Sequence, residues 1–232
     1  MIIKMKMKIL IVTALLLVLT TGCKLETSSA NPNSNGKPTP SVGSSPSPVE
    51  QRQSTCSLRM AAGPATEGLR LGMTPEEIVA TLPGSKDDPE VQSGLARPAS
   101  NLGVSTFVVH TDKLQPKEKF GRIVHFTFSL LDGRVSSINI GYNGPAYKDV
   151  DEFVSSFVKG TNLPPLDQWQ AYPGLETQLK TVTCQDFEVR IFAGGEGGNQ
   201  NYVLLTDLEA DKKLKDRRAK ARAQATPSPG KE

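Results

Sequence analysis

Apolar residues fall along this chain in three regimes. Residues 9–19 are apolar apart from Thr13, residues 26–55 hold almost no large apolar side chain, and from Cys56 to Asp207 apolar positions recur with helical or strand periods. The third regime predicts the folded part. Thr74 is placed as a helix N-cap, Pro75 occupies the first helical position, where its missing N–H costs nothing, and Glu77 completes a capping box. Met73 and Ile78 are spaced as a hydrophobic staple; Ile78, Val79 and Leu82 share one face, and Pro83 with Gly84 stops the helix. The same grammar returns at Asp149, with Glu152 three residues on, a stripe of Val150, Phe153, Val154, Phe157 and Val158, and Gly160 as the stop.

After each helix the period changes to two. Residues 105–110 read as one strand. The stretch RIVHFTFSLLDGRVSSINIGY reads as two more, joined at residues 131–134 by an Asp-Gly hairpin turn. In the first of the pair, Val124, Phe126 and Phe128 point one way and Ile123, His125 and Thr127 the other. In its partner, Val135, Ser137, Asn139 and Gly141 oppose Ser136, Ile138, Ile140 and Tyr142. Strand signals recur at residues 178–185, 187–192 and 202–206, with AGGEGGNQN as the hairpin between the last two. The order is αβββ twice, with no crossover helix between strands. The expected fold is therefore α+β: an antiparallel sheet with helices on one face, in tandem units of about 56–145 and 146–207 within a single domain, 56–207.

The amino-terminal regime changes the picture from fold to address. Lys4, Lys6 and Lys8 precede the apolar run, and Thr20, Thr21, Gly22 and Cys23 follow it. A crossing helix needs about 20 apolar residues, so this run is the core of a secretory signal. The order resembles a bacterial lipoprotein signal, which implies that residues 1–22 are removed and that Cys23 is acylated as the first mature residue. Stable attachment takes more than one acyl chain, and the resemblance implies several, including palmitate. Lys24 after the cysteine points to the outer membrane, facing the periplasm. Residues 23–55, rich in Ser, Pro and Asn, cannot bury enough surface to offset their ordering entropy, so they are expected to form a disordered tether.

Charge is unevenly distributed. The chain carries 27 Lys and Arg against 24 Asp and Glu, and removing the three signal lysines balances them. Within the balanced remainder, residues 212–222 hold seven basic groups against Asp216, leaving an acidic body and a basic, helical extension over 208–232. Such a patch suits anionic lipid or wall polymer. Export excludes nucleic acid as a partner. With Cys23 committed to lipid, Cys56 and Cys184 remain, and an oxidising compartment favours a disulfide between them.

The segment GLRLGMTPEEIVATLPGS resembles the opening of the SmpA/OmlA type of small outer-membrane lipoprotein, at Leu71, Gly72, Met73, Thr74, Glu77, Val79, Leu82 and Gly84. The following LDGRV hairpin is similar in those proteins. Doubling the unit resembles the β-lactamase inhibitor protein, whose tandem helix-and-sheet repeats bind another protein with the open face of the sheet. The resemblance implies a noncatalytic binding or scaffolding module for another envelope protein.

Catalytic machinery is not legible. The chain has two histidines, neither at a metal-ligand spacing with a cysteine, and it lacks a nucleophile elbow, a phosphate-cradling loop and a zinc-binding helix. The expectation is no enzyme, no cofactor and no metal. The alternative is a periplasmic ligand-binding protein or hydrolase with a cleft near His125 and Trp169, with Tyr172 beside the tryptophan; His125 is the best single candidate for a general base.

Overall fold

The computed structural model describes residues 56–194 and 200–225. The signal, Cys23, the tether, residues 195–199 of the glycine-rich hairpin and the tail from 226 lie outside the described residues. Four helices, α1 (Pro75–Thr81), α2 (Pro89–Ala96), α3 (Val150–Val158) and α4 (Leu208–Ala225), accompany seven strands. The strands are β1 (Val104–His110), β2 (Ile123–Leu131), β3 (Arg134–Tyr142), β4 (Gln170–Ala171), β5 (Leu179–Thr183), β6 (Phe187–Phe192) and β7 (Asn201–Asp207).

All seven form one sheet in the order β1-β2-β3-β7-β6-β5-β4, and every pairing is antiparallel. The fold is α+β. Two three-stranded meanders, β1–β2–β3 and β5–β6–β7, meet through their last strands, with Ile140 opposite Val203 at the seam. Each meander follows a helix with a side-chain cap. At α1, Thr74 Oγ1 accepts from the Glu77 amide while the Glu77 carboxylate accepts from the Thr74 amide; at α3, Asp149 accepts from the Glu152 amide.

The core lies between α1–α3 and one face of the sheet, where Ile78, Val91, Phe126, Phe128, Val154, Val189 and Val203 are fully buried. Burying several aromatic and branched side chains at about 1.5–3 kcal/mol each is the main favourable term holding the helices to the sheet. Cys56 and Cys184 are disulfide-bonded, with Cα atoms 4.5 Å apart and a separation of 128 positions in sequence. The bond ties the start of the domain to the residue just past β5.

Several details differ from a strict reading of the sequence pattern. Ile123 is buried, while Val124 is 37% exposed. A register shift between Ile123 and His125 turns the start of the strand over, and a second shift between Ser129 and Leu130 puts Val135 on the core side with Ile138 and Ile140. Helix α2 and the two-residue strand β4 are additional elements. Helix α4 lies on the opposite face of the sheet from α1–α3, so the expected placement of helices on one face holds for three of the four.

Candidate binding surface

Because cross-strand partners point to the same side of a sheet, the pairings resolve the face away from α1–α3 into three transverse rows. The first runs His110, His125, Gly141, Tyr202, Phe192, Leu179. The second runs Val108, Thr127, Asn139, Leu204, Arg190, Thr181. The third runs Thr106, Ser129, Ser137, Thr206, Glu188, Thr183. The face thus grades from rings at one end to hydroxyls and charge at the other. At roughly 4.8 Å per strand, each row spans about 24 Å.

At the ring end, Phe192 stacks on Tyr202 with centroids 5.1 Å apart and planes inclined by 16°, and His110 lies 6.2 Å from His125. Gly141 interrupts the row. A Cβ at this position would collide with the His125 ring, so the glycine is what lets the imidazole lie against the β3 backbone. The interruption leaves a cavity of about 300 Å³ between His125 and Tyr202, with Asn139 and Gln200 on its rim. Burial, and secondarily the neighbouring His110, push the His125 imidazole below its ordinary value. At neutral pH it is an uncharged donor and acceptor.

The hydroxyl end is overhung by α4. Asp207 caps this helix by accepting from the Glu209 and Ala210 amides at 2.9 and 3.0 Å. Further along, Arg217 forks onto the hairpin residue Asp132, Nη1 to Oδ1 and Nη2 to Oδ2 both at 2.8 Å, and Lys213 Nζ adds a contact to Oδ2 at 2.8 Å. Arg217 also donates to the Leu102 carbonyl at 2.7 Å. The Arg217 fork, followed by Lys213, holds the Asp132 carboxyl well below the usual carboxylate range. A Cβ on Gly103 would occupy the space of this ion cluster.

None of the described residues of α4 is buried. Between the helix and the sheet a cleft of about 1590 Å³ stays open. Ser129, Ser137 and Thr206 line its sheet side, and Lys212, Lys215 and Arg218 its helix side. Within it Arg190 donates to Glu188 at 2.6 Å, and Lys215 pairs with Asp211 at 2.6 Å.

The sequence-derived candidates separate on this surface. His125 lies in the ring row and against its cavity. Tyr172 is 40% exposed, and its amide donates to the Leu179 carbonyl at 3.0 Å, which places it just beyond the far end of the same row. Trp169 is a core residue, 5% exposed, with its indole N–H donating to the Pro164 carbonyl at 3.0 Å. The cavity against His125 includes neither Trp169 nor Tyr172 among its described lining residues.

No protein-family model and no curated protein matches the chain. A solved cysteine-rich secretory protein from Staphylococcus aureus subsp. aureus Mu50 aligns at 10% identity and a TM-score of 0.33, over 67% of this chain and 50% of that one. The chain thus spans about half the length of that protein, and a likeness this slight carries no argument about fold or activity.

Tyr202, Phe192, Asn139 and Gly141 were not singled out by the sequence. Each belongs to an ordinary strand pattern, and only the β3–β7 pairing makes neighbours of residues some sixty positions apart. No group of three or more His, Cys, Asp or Glu among the described residues is arranged to hold a metal.

Proposed function

We propose that the chain is an exported, noncatalytic binding module of the cell envelope. Acyl chains on Cys23 hold it to the outer membrane facing the periplasm, the residue 23–55 tether leashes the folded part to that anchor, and the folded part binds another envelope protein. The single observation that supports this reading is the open cleft between α4 and the sheet. At about 1590 Å³ it exceeds the range of about 300–1,000 Å³ typical of small-molecule sites and suits a length of polypeptide. Its hydroxyl-bearing floor offers hydrogen bonds to an extended backbone, while Lys212 and Arg218 on the helix side favour a partner with acidic side chains.

The experiment is site-specific photocrosslinking in intact cells, with the photoreactive residue at Ser137 in the cleft or, as a control, at Glu76 on α1. A discrete protein adduct from Ser137 only, weakened by the double variant Lys212→Glu, Arg218→Glu and by raised salt, is the expected result. Equal adducts from both positions, or an adduct indifferent to the charge reversal, would refute the reading. Incorporation of labelled palmitate into the wild type but not into Cys23→Ser tests the anchor separately.

A further inference from the structure

A second site, chemically unlike the cleft, lies at the other end of the same face. We propose that the cavity at Gly141 binds a neutral sugar ring.

The cavity interrupts the row His110, His125, Gly141, Tyr202, Phe192, Leu179. Every position but one carries a ring or a branched apolar group, and the exception lies between His125 and Tyr202. The His125 ring lies over the Gly141 backbone on one side of the gap, and the stacked rings of Tyr202 and Phe192 flank the other. A volume of about 300 Å³ is at the small end of ligand cavities, enough for one or two hexose-sized rings.

The lining then narrows the chemistry. Among the described residues, none of the side chains lining the cavity is Asp, Glu, Lys or Arg. A charged ligand entering it would give up hydration without meeting an opposite charge, and that cost is prohibitive for an ion. A wholly apolar ligand fails for the converse reason. The amides of Asn139 and Gln200 have no side-chain hydrogen-bond partner among the described residues and line the cavity. Covering them with hydrocarbon would strand donors and acceptors at about 1–3 kcal/mol each.

The ligand that satisfies both constraints is uncharged, apolar on one face and rich in hydroxyls at its edge. A pyranose has this form. Its axial C–H face rests on an aromatic ring, whose negative face attracts the slightly positive hydrogens. Its equatorial hydroxyls meet Asn139, Gln200 and His125, and the neutral imidazole has both a donor and an acceptor to offer. The row continues past the cavity toward His110, whose side chain is part-exposed, so a further ring of an oligosaccharide meets a second imidazole on that side.

This inference goes beyond the protein-partner reading and fails independently of it. The test is isothermal titration of the full chain with chitotetraose and with cellotetraose, followed by the same titrations on Tyr202→Ala, Asn139→Leu and the charge-reversed Lys212→Glu, Arg218→Glu protein. Saturable binding of at least one tetrasaccharide is expected, in the micromolar to millimolar range. The affinity should fall at least about tenfold in Tyr202→Ala and in Asn139→Leu and stay unchanged on charge reversal. Asn139→Leu keeps the side-chain bulk, and circular dichroism of each variant separates loss of the ligand contact from loss of fold. Two results overturn the inference: no saturable heat with either sugar up to about 10 mM, well past a millimolar dissociation constant, or binding that survives both ring-end substitutions.

Discussion

The two ends of the open face rest on the same strands and differ in almost everything else. At one end, rings cover the pleat, and none of the described helices lines the cavity beside them. At the other, Ser129, Ser137 and Thr206 keep the surface low, and α4 runs above them, held by its Asp207 cap and the Asp132 fork rather than by buried apolar side chains. The contrast teaches that a helix joined to a sheet by charge leaves an open space that hydrophobic packing would have closed. Small hydroxyl residues make room for α4, and Lys212 and Arg218 line the cleft on its helix side. Away from the described helices, the sheet face carries Tyr202, Phe192 and the histidines, and Gly141 is the position in that row without a side chain.

The largest effect expected is one that removes the comparison altogether. Reducing Cys56–Cys184, which closes a loop of 128 residues, should cost about 4–5 kcal/mol on a chain-entropy account. It should lower the Tm by on the order of 10 °C, with both ends lost in a single transition. Differential scanning calorimetry with and without reductant measures it, and an unchanged Tm would show that the bond contributes nothing to the frame.

Gly141→Ala should come next. The new methyl group meets the His125 ring, so the ring must move into the cavity or the strand must shift, at about 1–3 kcal/mol for such overpacking. Amide shifts should change along the ring row and leave α4 untouched. A neutral substitution, by thermal melt and by spectrum, would mean that His125 is not held against the β3 backbone.

Asp132→Asn and Arg217→Ala act on the other end alone. Either should raise hydrogen exchange across residues 208–225 several-fold while the exchange of β2, β6 and β7 stays as it was. Acid does the same without mutation. The carboxyl of Asp132 is held below its unfolded value of about 3.9, so its contribution is complete above that pH and is lost as the pH falls below it. Exchange of α4 that is insensitive to both substitutions would show that the helix is held by something other than the fork.

The smallest effect belongs to His125. Its folded value lies below the unfolded value of about 6.5, so as pH drops through that value the unfolded chain takes the proton first and stability declines. Above about pH 7 there is no such slope. His125→Gln should flatten stability below about pH 6.5, which urea titrations at several pH values resolve; an identical slope in the variant would assign it to another group.

How much of this was legible in the sequence depended on range. Local signals carried the helix starts, because a capping box and a proline at the first position are complete within four residues, and the Asp-Gly hairpin for the same reason. Helix α2 had an equivalent start in Asp88, Pro89 and Glu90, with the Asp88 carboxylate accepting from the Glu90 amide at 2.8 Å. Gly94 obscured it, because glycine inside a helix reads as a break. Here the glycine lets the helix approach Phe107, where a Cβ would collide with the ring's own Cβ. The bulges at Ile123 and Ser129 were invisible to a strict alternation, which cannot show a residue that its partner strand skips. His125 could be placed on the open side from its own strand. Its companions could not, since Tyr202 and Phe192 reach it only through a seam between the two units.

The open face offers two surfaces of opposite chemistry, an uncharged cavity beside His125 and an ionic cleft under α4, and a binding site is proposed at each. The most direct measurement is titration of the full chain with chitotetraose in about 50 mM and about 500 mM sodium chloride, a span over which exposed charges are heavily screened. The account predicts the same affinity at both concentrations and its loss in Tyr202→Ala. An affinity that collapses at the higher salt, or that vanishes in Arg218→Glu while surviving in Tyr202→Ala, would contradict it.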